Sequence, residues 1–599
     1  MSGDATSLDT EMQNLSLNSK LPCANILDRC KRPGPLACNG CYMVAYCSKA
    51  CQKVHWPTHR GDCRSPLMSE DWVSLKEKEK RSDFIQVDSP HPKLMYWDNT
   101  PAFDMIQLRD NEGEDFQGPM NLLFAASGDM RSAILSAVNL PQSYRSQLNI
   151  VLNDKDIGIV ARNVIFLLVF FLEENPIQAA EHVLHIWYSS CITESCHSVL
   201  LQKAKPMVKE VCDVISQEPG STIFGTTWTF GEISLRVVLT RDNWFHLLSY
   251  FDIPKGLTGI NAILLRSRVT TAPERTDDID HSMYLQSPSD KLGSAKFRED
   301  GVLLPFSASR EAFTIPNPTL FHSNIEWAVD DTTFPVSGWL LQSYMKVDIG
   351  PARNDLYGKL YHYLRQLFAE FHQRLRSLPM SLELLHTDVR LLYDYIGGMR
   401  FDRIDVNNIC DERFIGIAVA LNTFGPLLQP ATVNRHATLV TYFLGATSRT
   451  TSDDVKRIVE RVTPPDALHE GVDETAKNRL LQYMPGLDHH KIAKFLSAIA
   501  MLKGLDKLFD RYMSQRDFEG TSIDAGLEMK TTNTIVKPWP LRFSGGEPTV
   551  QVKEEFAHML SLSHLGDVRY VEWKIREGVT ISNAEAQVPD STRFLTLWI

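Results

Sequence analysis

The chain has no apolar stretch long enough to span a bilayer. Its longest run, Val164 to Leu172, is nine residues set between Arg162-Asn163 and Glu173-Glu174, about half of what a membrane helix requires. It reads as a buried helix, so no membrane partner is expected. Basic surplus is also lacking: 62 Lys and Arg face 73 Asp and Glu, a net charge of −11. That balance disfavours nucleic acid as the main partner, because phosphate binding draws on clustered positive charge. Met1 to Lys20 is polar and holds no apolar core of a secretory signal. Outside one short segment cysteine is scarce, only Cys191, Cys196, Cys212 and Cys410, and these lack ligand-like neighbours, so core packing is their expected role. A reducing compartment, cytoplasm or nucleus, follows as the expectation. The familiar catalytic signatures are missing as well. There is no Gly-x4-Gly-Lys-Ser/Thr phosphate loop, no Gly-x-Ser-x-Gly nucleophile turn and no His-Glu-x2-His metal helix.

What is present is a ladder of seven of the eleven cysteines: Cys23, Cys30, Cys38, Cys41, Cys47, Cys51 and Cys63, with His59 among them. An odd number of cysteines without secretory context argues against a disulfide framework. Eight soft nitrogen and sulfur ligands suffice for two tetrahedral zinc ions, and a histidine at finger spacing favours zinc over an iron–sulfur cluster. Cys38-x2-Cys41 suits a tight knuckle, and His59-x3-Cys63 puts two ligands one helical turn apart. His55 shares that helix face and is expected to be exposed beside Trp56 rather than to replace His59 as ligand. So short a segment has too little apolar surface to fold alone, and metal must supply the missing stability. Six Lys or Arg against Asp28 and Asp62 nearly balance the thiolates of two such sites, leaving the segment close to neutral.

Tyr46-Cys47-Ser48-Lys49-Ala50-Cys51-Gln52, then His55-Trp56, His59 and Cys63, resembles the MYND zinc finger. The resemblance implies interleaved ligands, with Cys23, Cys30, Cys47 and Cys51 around one ion and Cys38, Cys41, His59 and Cys63 around the other. It also implies a protein partner, docking as a linear and often proline-containing peptide. Cys23 departs from the family pattern, since six residues rather than two separate it from Cys30. MYND fingers also occur in SET-domain lysine methyltransferases, but the Asn-His-x-Cys signature of that domain is absent.

The remainder, 43% hydrophobic and 23% charged overall, has globular composition with room for about two to four domains. Met120 to Ala126 reads as a buried strand, Ser127-Gly128-Asp129 as a turn, and Met130 to Val138 as an amphipathic helix. A second strand, Leu148 to Leu152, ends on Asn153-Asp154 before the helix around Ile157 to Leu172. The β-α-β-α order predicts a parallel α/β sheet. This passage resembles the degenerate methyltransferase-like domain of certain fungal MYND proteins and of the axonemal dynein assembly factor family. The resemblance extends to a strand at Phe401 to Asn408, a helix near Arg413 to Phe424 and a strand at Ala437 to Leu444.

The expected layout is a disordered tail over 1–20, the finger over 21–66, a linker over 67–117, the first part of a Rossmann-like, class I methyltransferase-like domain over 118–190, a large, mainly helical insertion over 191–399, the second part over 400–450, and a C-terminal helical region with edge strands over 451–599. Within the insertion, Asp355 to Arg376 repeats Leu356, Leu360, Leu364, Leu367 and Phe371 at helical spacing, and Gln217 to Gly350 reads as loop-rich. Val568 to Ile575 and Thr592 to Ile599 alternate like antiparallel edges. His489-His490 is expected at an exposed helix start.

An acidic side chain after the second strand suits a ribose, so an S-adenosylmethionine site would use Gly128, Asp154 and Asn407 or Asn408. The first loop carries a single glycine, too weak a motif to assign the cofactor; Gly128 as a plain turn and Asp129 as a helix cap is the preferred reading. No catalytic and no cofactor-binding residue is assigned. The sequence thus predicts an interaction scaffold or adaptor with two zinc ions and a non-catalytic body, the alternative being an S-adenosylmethionine-dependent methyltransferase recruited through its finger.

Overall fold

The computed structural model describes residues 21–25, 30–72, 95–97, 100–272, 286–321, 333–444, 505–543, 549–560, 568–578 and 595–598, with the single positions 283, 327, 329, 330, 446 and 547. The tail 1–20, residues 73–94, the stretch 447–504 with His489-His490, and the joining parts of the last strands lie outside the described residues.

A short hairpin, β1 (Leu36–Ala37) and β2 (Ala45–Tyr46), and helix α1 (Lys49–Cys63) form the finger. The body begins with β3 (Met120–Ala125), α2 (Arg131–Asn139), β4 (Leu148–Asp154), α3 (Ile157–Leu172) and α4 (Pro176–Tyr188). Strand β5 (Cys191–Ile192) pairs with the distant β8 (Ile315–Pro316). Hairpin β6 (Ile223–Phe230) and β7 (Ile233–Thr240) follows, then α5 (Pro288–Asp300), α6 (Leu356–Ser377), β9 (Met380–His386), β10 (Arg403–Asp405), α7 (Gly416–Phe424) and β11 (Thr438–Leu444). Strands β12 (Leu527–Met529), β13 (Val568–Ile575) and β14 (Leu595–Trp598) complete a mixed sheet of order β12-β13-β11-β10-β3-β4-β9-β7-β6-β14.

From β7 through β9, β4, β3 and β10 to β11 every pairing is parallel, and the central strands β3 and β4 are largely apolar on both faces, as parallel strands covered by helices are. Leu122 and Phe124 enter one core with α2, α3, α4 and α6. Leu123 and Ala125 point to the other, against Leu421 and Phe424 of α7. The strand period of two therefore builds a helix–sheet–helix sandwich. Helix α3 is buried over nearly all of its surface and apolar from Val164 to Leu172, with Arg162 and Asn163 buried in its first half; Asp156 caps it by accepting from the Gly158 N–H at 2.7 Å. No helix among the described residues is long and apolar enough to cross a membrane.

Several expectations need correction. Helices outweigh strands in the segment 191–399, but it is not an insertion outside the sheet, since it contributes β6, β7 and β9 to it, and β9 pairs in register with β4 from Leu148–Met380 to Asp154–His386. Residues 95–97 and 100–117 are no linker: Tyr96, Trp97, Met105, Ile106 and Leu108 are buried in the main core. The strand at Phe401 shrinks to β10, because Asn407–Cys410 turns as a 3-10 helix. Strand β13 is an inner strand, antiparallel to both β11 and β12, and β14 is parallel to β6. By contrast α6 lies within a residue of its predicted span, with Leu356, Leu360, Leu364, Leu367 and Phe371 all buried.

Buried, neutral histidine makes the body acid-sensitive. His185 of α4 is 6% exposed and packs on Phe313; burial, helped by the charge of His182, pushes it down to about 3. An unfolded histidine protonates near 6.5, so stability is fully held above that pH and falls as pH drops toward 3. By pH 4 this one group is expected to cost about 3 kcal/mol. Urea unfolding near pH 7 and pH 4 checks it: His185→Phe should lose less stability between the two pH values than the wild type does.

Candidate metal centre

The finger's elements deliver their side chains to two points. Ser48 caps α1 by accepting from the Cys51 N–H at 3.2 Å, and the four-residue spacing of Cys51, His55, His59 and Cys63 then places all four on one helix face. Cys38 and Cys41 sit on a tight turn whose Tyr42 takes φ +54 while its N–H donates to the Cys38 carbonyl at 2.8 Å. Gly40 fits there because a Cβ would stand 2.9 Å from Cys63 Sγ.

Cys23, Cys30, Cys47 and Cys51 form one group and Cys38, Cys41, His59 and Cys63 the other, the ligand atoms of each lying within 4.8 Å of one another. Cys30 and Cys47 Sγ are 3.6 Å apart, Cys47 and Cys51 Sγ 3.4 Å, and Cys38 and Cys63 Sγ 3.7 Å. These are far beyond a disulfide bond and close to the edge of about 3.8 Å that four Zn–S bonds impose on a tetrahedron. Cys41 Sγ to His59 Nε2 is 3.4 Å, near the shorter edge of about 3.6 Å expected for a mixed sulfur–nitrogen pair. Despite its longer spacing, Cys23 lies with its group.

Electrostatics differ between the groups. Arg32 reaches within 3.9 Å of Cys51 Sγ, and its guanidinium holds the Cys30 thiol down to about 6. A fixed cation thus stands beside the all-sulfur group, which would be the more negative once metallated. His59 is 1% exposed, and burial holds it down to about 4, keeping the imidazole neutral as a ligand must be.

Residues 23–63 match the MYND finger family. This segment is a MYND finger. Residues 96–192, from the core segment before β3 through β5, match a family described as Domain of unknown function (DUF4470). No curated protein matches the chain, and no solved structure does. The two cysteine and histidine groups of the MYND finger are consistent with two zinc ions.

His55 is not exposed as expected. It is buried, its Nδ1 lies 3.1 Å from the Tyr46 hydroxyl, and its ring stacks on His59 at 5.9 Å. It belongs to neither ligand group and braces one of them instead. Sequence reasoning also missed that the MYND finger is seated on the body. Asn354 donates from its backbone N–H to the Tyr42 carbonyl at 3.1 Å and from Nδ2 to the Cys41 carbonyl at 3.0 Å. Leu292 of α5 and Phe306 share the apolar cluster of Cys23, Cys38 and Cys41. Contacts some 300 residues apart in sequence leave no local pattern to read.

In the body, the strand order reverses between the parallel strands β3 and β10, the place where doubly wound sheets bind ligands. Gly128 takes φ +60 in the turn, while Asp129 is not the N-cap, which is Met130; it accepts from the Arg131 N–H at 3.1 Å and from Arg131 Nε at 2.6 Å. Asp154 is 7% exposed, and burial pushes its carboxyl up to about 6. Its Oδ2 accepts from the Gly128 N–H and its Oδ1 from the Asp156 N–H, both at 2.9 Å. Asn407 Nδ2 donates to the Ala126 carbonyl at 3.2 Å, while Asn408 donates its N–H to Asn407 Oδ1 at 2.7 Å. Asn163 Nδ2 reaches the Gly128 carbonyl at 3.3 Å. The loops at the switch point are thus tied to one another.

Proposed function

We propose that this chain is a protein-docking scaffold. Its MYND finger holds one zinc ion through Cys23, Cys30, Cys47 and Cys51 and a second through Cys38, Cys41, His59 and Cys63, and it captures a partner through a linear peptide. The observation that carries the reading is the pair of four-ligand groups at tetrahedral spacing within a segment matching a protein-interaction module. Zinc acts here as a structural brace with its coordination filled by protein, as in closed sites.

The body is proposed to descend from a methyltransferase-like fold, related to that of axonemal dynein assembly factors, and to have lost cofactor chemistry. Support comes from the doubly wound strand order and from Asp154, whose two oxygens serve Gly128 and Asp156 rather than a ribose. Four buried free thiols in the body suit a reducing compartment, cytoplasm or nucleus. A calorimetric titration of the full-length zinc protein with S-adenosylmethionine separates scaffold from enzyme. The expected result is no heat at millimolar cofactor. Saturable binding lost on Asp154→Ala would instead establish the methyltransferase alternative.

A further inference from the structure

Beside the MYND finger a groove of about 460 Å3 runs between the hairpin and the body. One wall is finger: Pro35, Leu36, Tyr42 and Lys49. The other is the body turn at Pro351 and Arg353. Leu36 is 40% exposed, and among the described residues β1 pairs only with β2, so its second edge is open to an added strand. Lys49 and Arg353 are both exposed and neither forms an ion pair among the described residues. Arg353 instead lies 4.0 Å over the Tyr42 ring, which holds its charge at the groove. On a chain of net charge −11, two unmatched cations flanking an apolar strip are a local inversion of sign.

We infer that this composite groove docks an extended acidic peptide, its backbone pairing along Leu36–Ala37, an apolar side chain resting between Leu36 and Pro351, and a carboxylate reaching Lys49 and Arg353. The inference rests on the peptide-docking reading and adds to it the charge of the partner and the body's share in selecting it. Backbone pairing gives affinity without sequence preference, whereas the two cations fix which peptides are kept.

The test uses the full-length, zinc-loaded protein and a phage-displayed library of random peptides of about 12 residues, selected in parallel on wild type and on Lys49→Glu/Arg353→Glu. Both positions are exposed, and an acidic residue at the first position of α1 suits the helix N-terminus, so circular dichroism and zinc content should be unchanged. Wild type is expected to enrich peptides with Asp or Glu beside an apolar residue. The charge-swapped variant should bind those peptides at least tenfold more weakly and enrich Lys or Arg in their place. Enriched peptides without acidic bias, bound equally by both proteins, would overturn the groove assignment and leave peptide docking intact. No enrichment on wild type would overturn both. Salt-sensitive capture of a random DNA duplex with no peptide enrichment would assign the cations to nucleic acid and overturn the inference as well.

Discussion

Stripping zinc from the full-length protein is expected to unfold residues 21–63 and to loosen the part of the body on which they sit. Each structural zinc contributes about 10–16 kcal/mol of folding free energy in small fingers. The apolar cluster of this MYND finger, eight of its own buried residues of which four are the cysteines Cys23, Cys38, Cys41 and Cys51, with Leu292 and Phe306 added by the body, cannot replace that. Without metal, those thiols would be buried around an empty centre and the neutral His59 would lose its partner. Damage should spread along the contacts that seat the finger: Leu21 donating to the Ile349 carbonyl, Asn354 to the Tyr42 and Cys41 carbonyls, and Leu292 and Phe306 against the cysteine cluster. Hydrogen exchange before and after chelation checks this. Amide protection should vanish across the finger, fall at 347–355, and persist in β3, β4 and β9, whose hydrogen bonds and core lie elsewhere. A finger that keeps its protection without metal would contradict the account.

Glu572→Ala is expected to destabilise the body by about 3–5 kcal/mol, the usual cost of removing one partner from a buried charged network. Glu572 is 0% exposed on the inner strand β13. Its Oε1 accepts from the Ile535 and Val536 N–H groups at 2.8 and 3.0 Å. Its Oε2 accepts from the Thr534 N–H at 2.9 Å and from Lys530 Nζ at 3.1 Å. Truncation leaves three backbone donors and an ammonium without their acceptor, each costing its own desolvation. Urea unfolding followed by fluorescence should place the midpoint of the variant well below that of the wild type, with Glu572→Gln between them because its amide oxygen still accepts. A loss below about 1 kcal/mol would mean that water replaces the carboxylate and that β13 is less enclosed than described.

What could be read from sequence was what is local. The ligand spacings of the finger lie within one short segment, and the helix face carrying His59 and Cys63 is a matter of period alone. Strands β3 and β4 were legible because parallel, doubly covered strands are continuous apolar runs. Strand β9 escaped because Ser381 and Glu383 interrupt Met380–His386 and look solvent-facing. In the sheet they are matched across the ladder, Ser381 with Ser234 at 3.1 Å and Glu383 with Arg236 at 2.7 Å, on partners some 150 residues away. Strand β13 was legible over its full span, Val568–Ile575, but its inner place was not, because Glu572 gives the alternation of an exposed edge while accepting from the backbone of Thr534 to Val536. The polar stretch before β3 was read as linker because its few large apolar residues, Tyr96, Trp97 and Ile106, follow no period, yet all are buried. The groove beside Leu36 was invisible, since one wall of it is built from Pro351 and Arg353, some 300 residues away.

The central claim, that two closed zinc sites brace a docking module, is tested most directly by the metal content of the full-length protein under native mass spectrometry. The account predicts two zinc ions per chain. Cys47→Ser and Cys41→Ser should each lose an ion from a different site, and the double variant should hold none. A wild-type chain carrying fewer than two ions, or one whose content neither substitution changes, would contradict it.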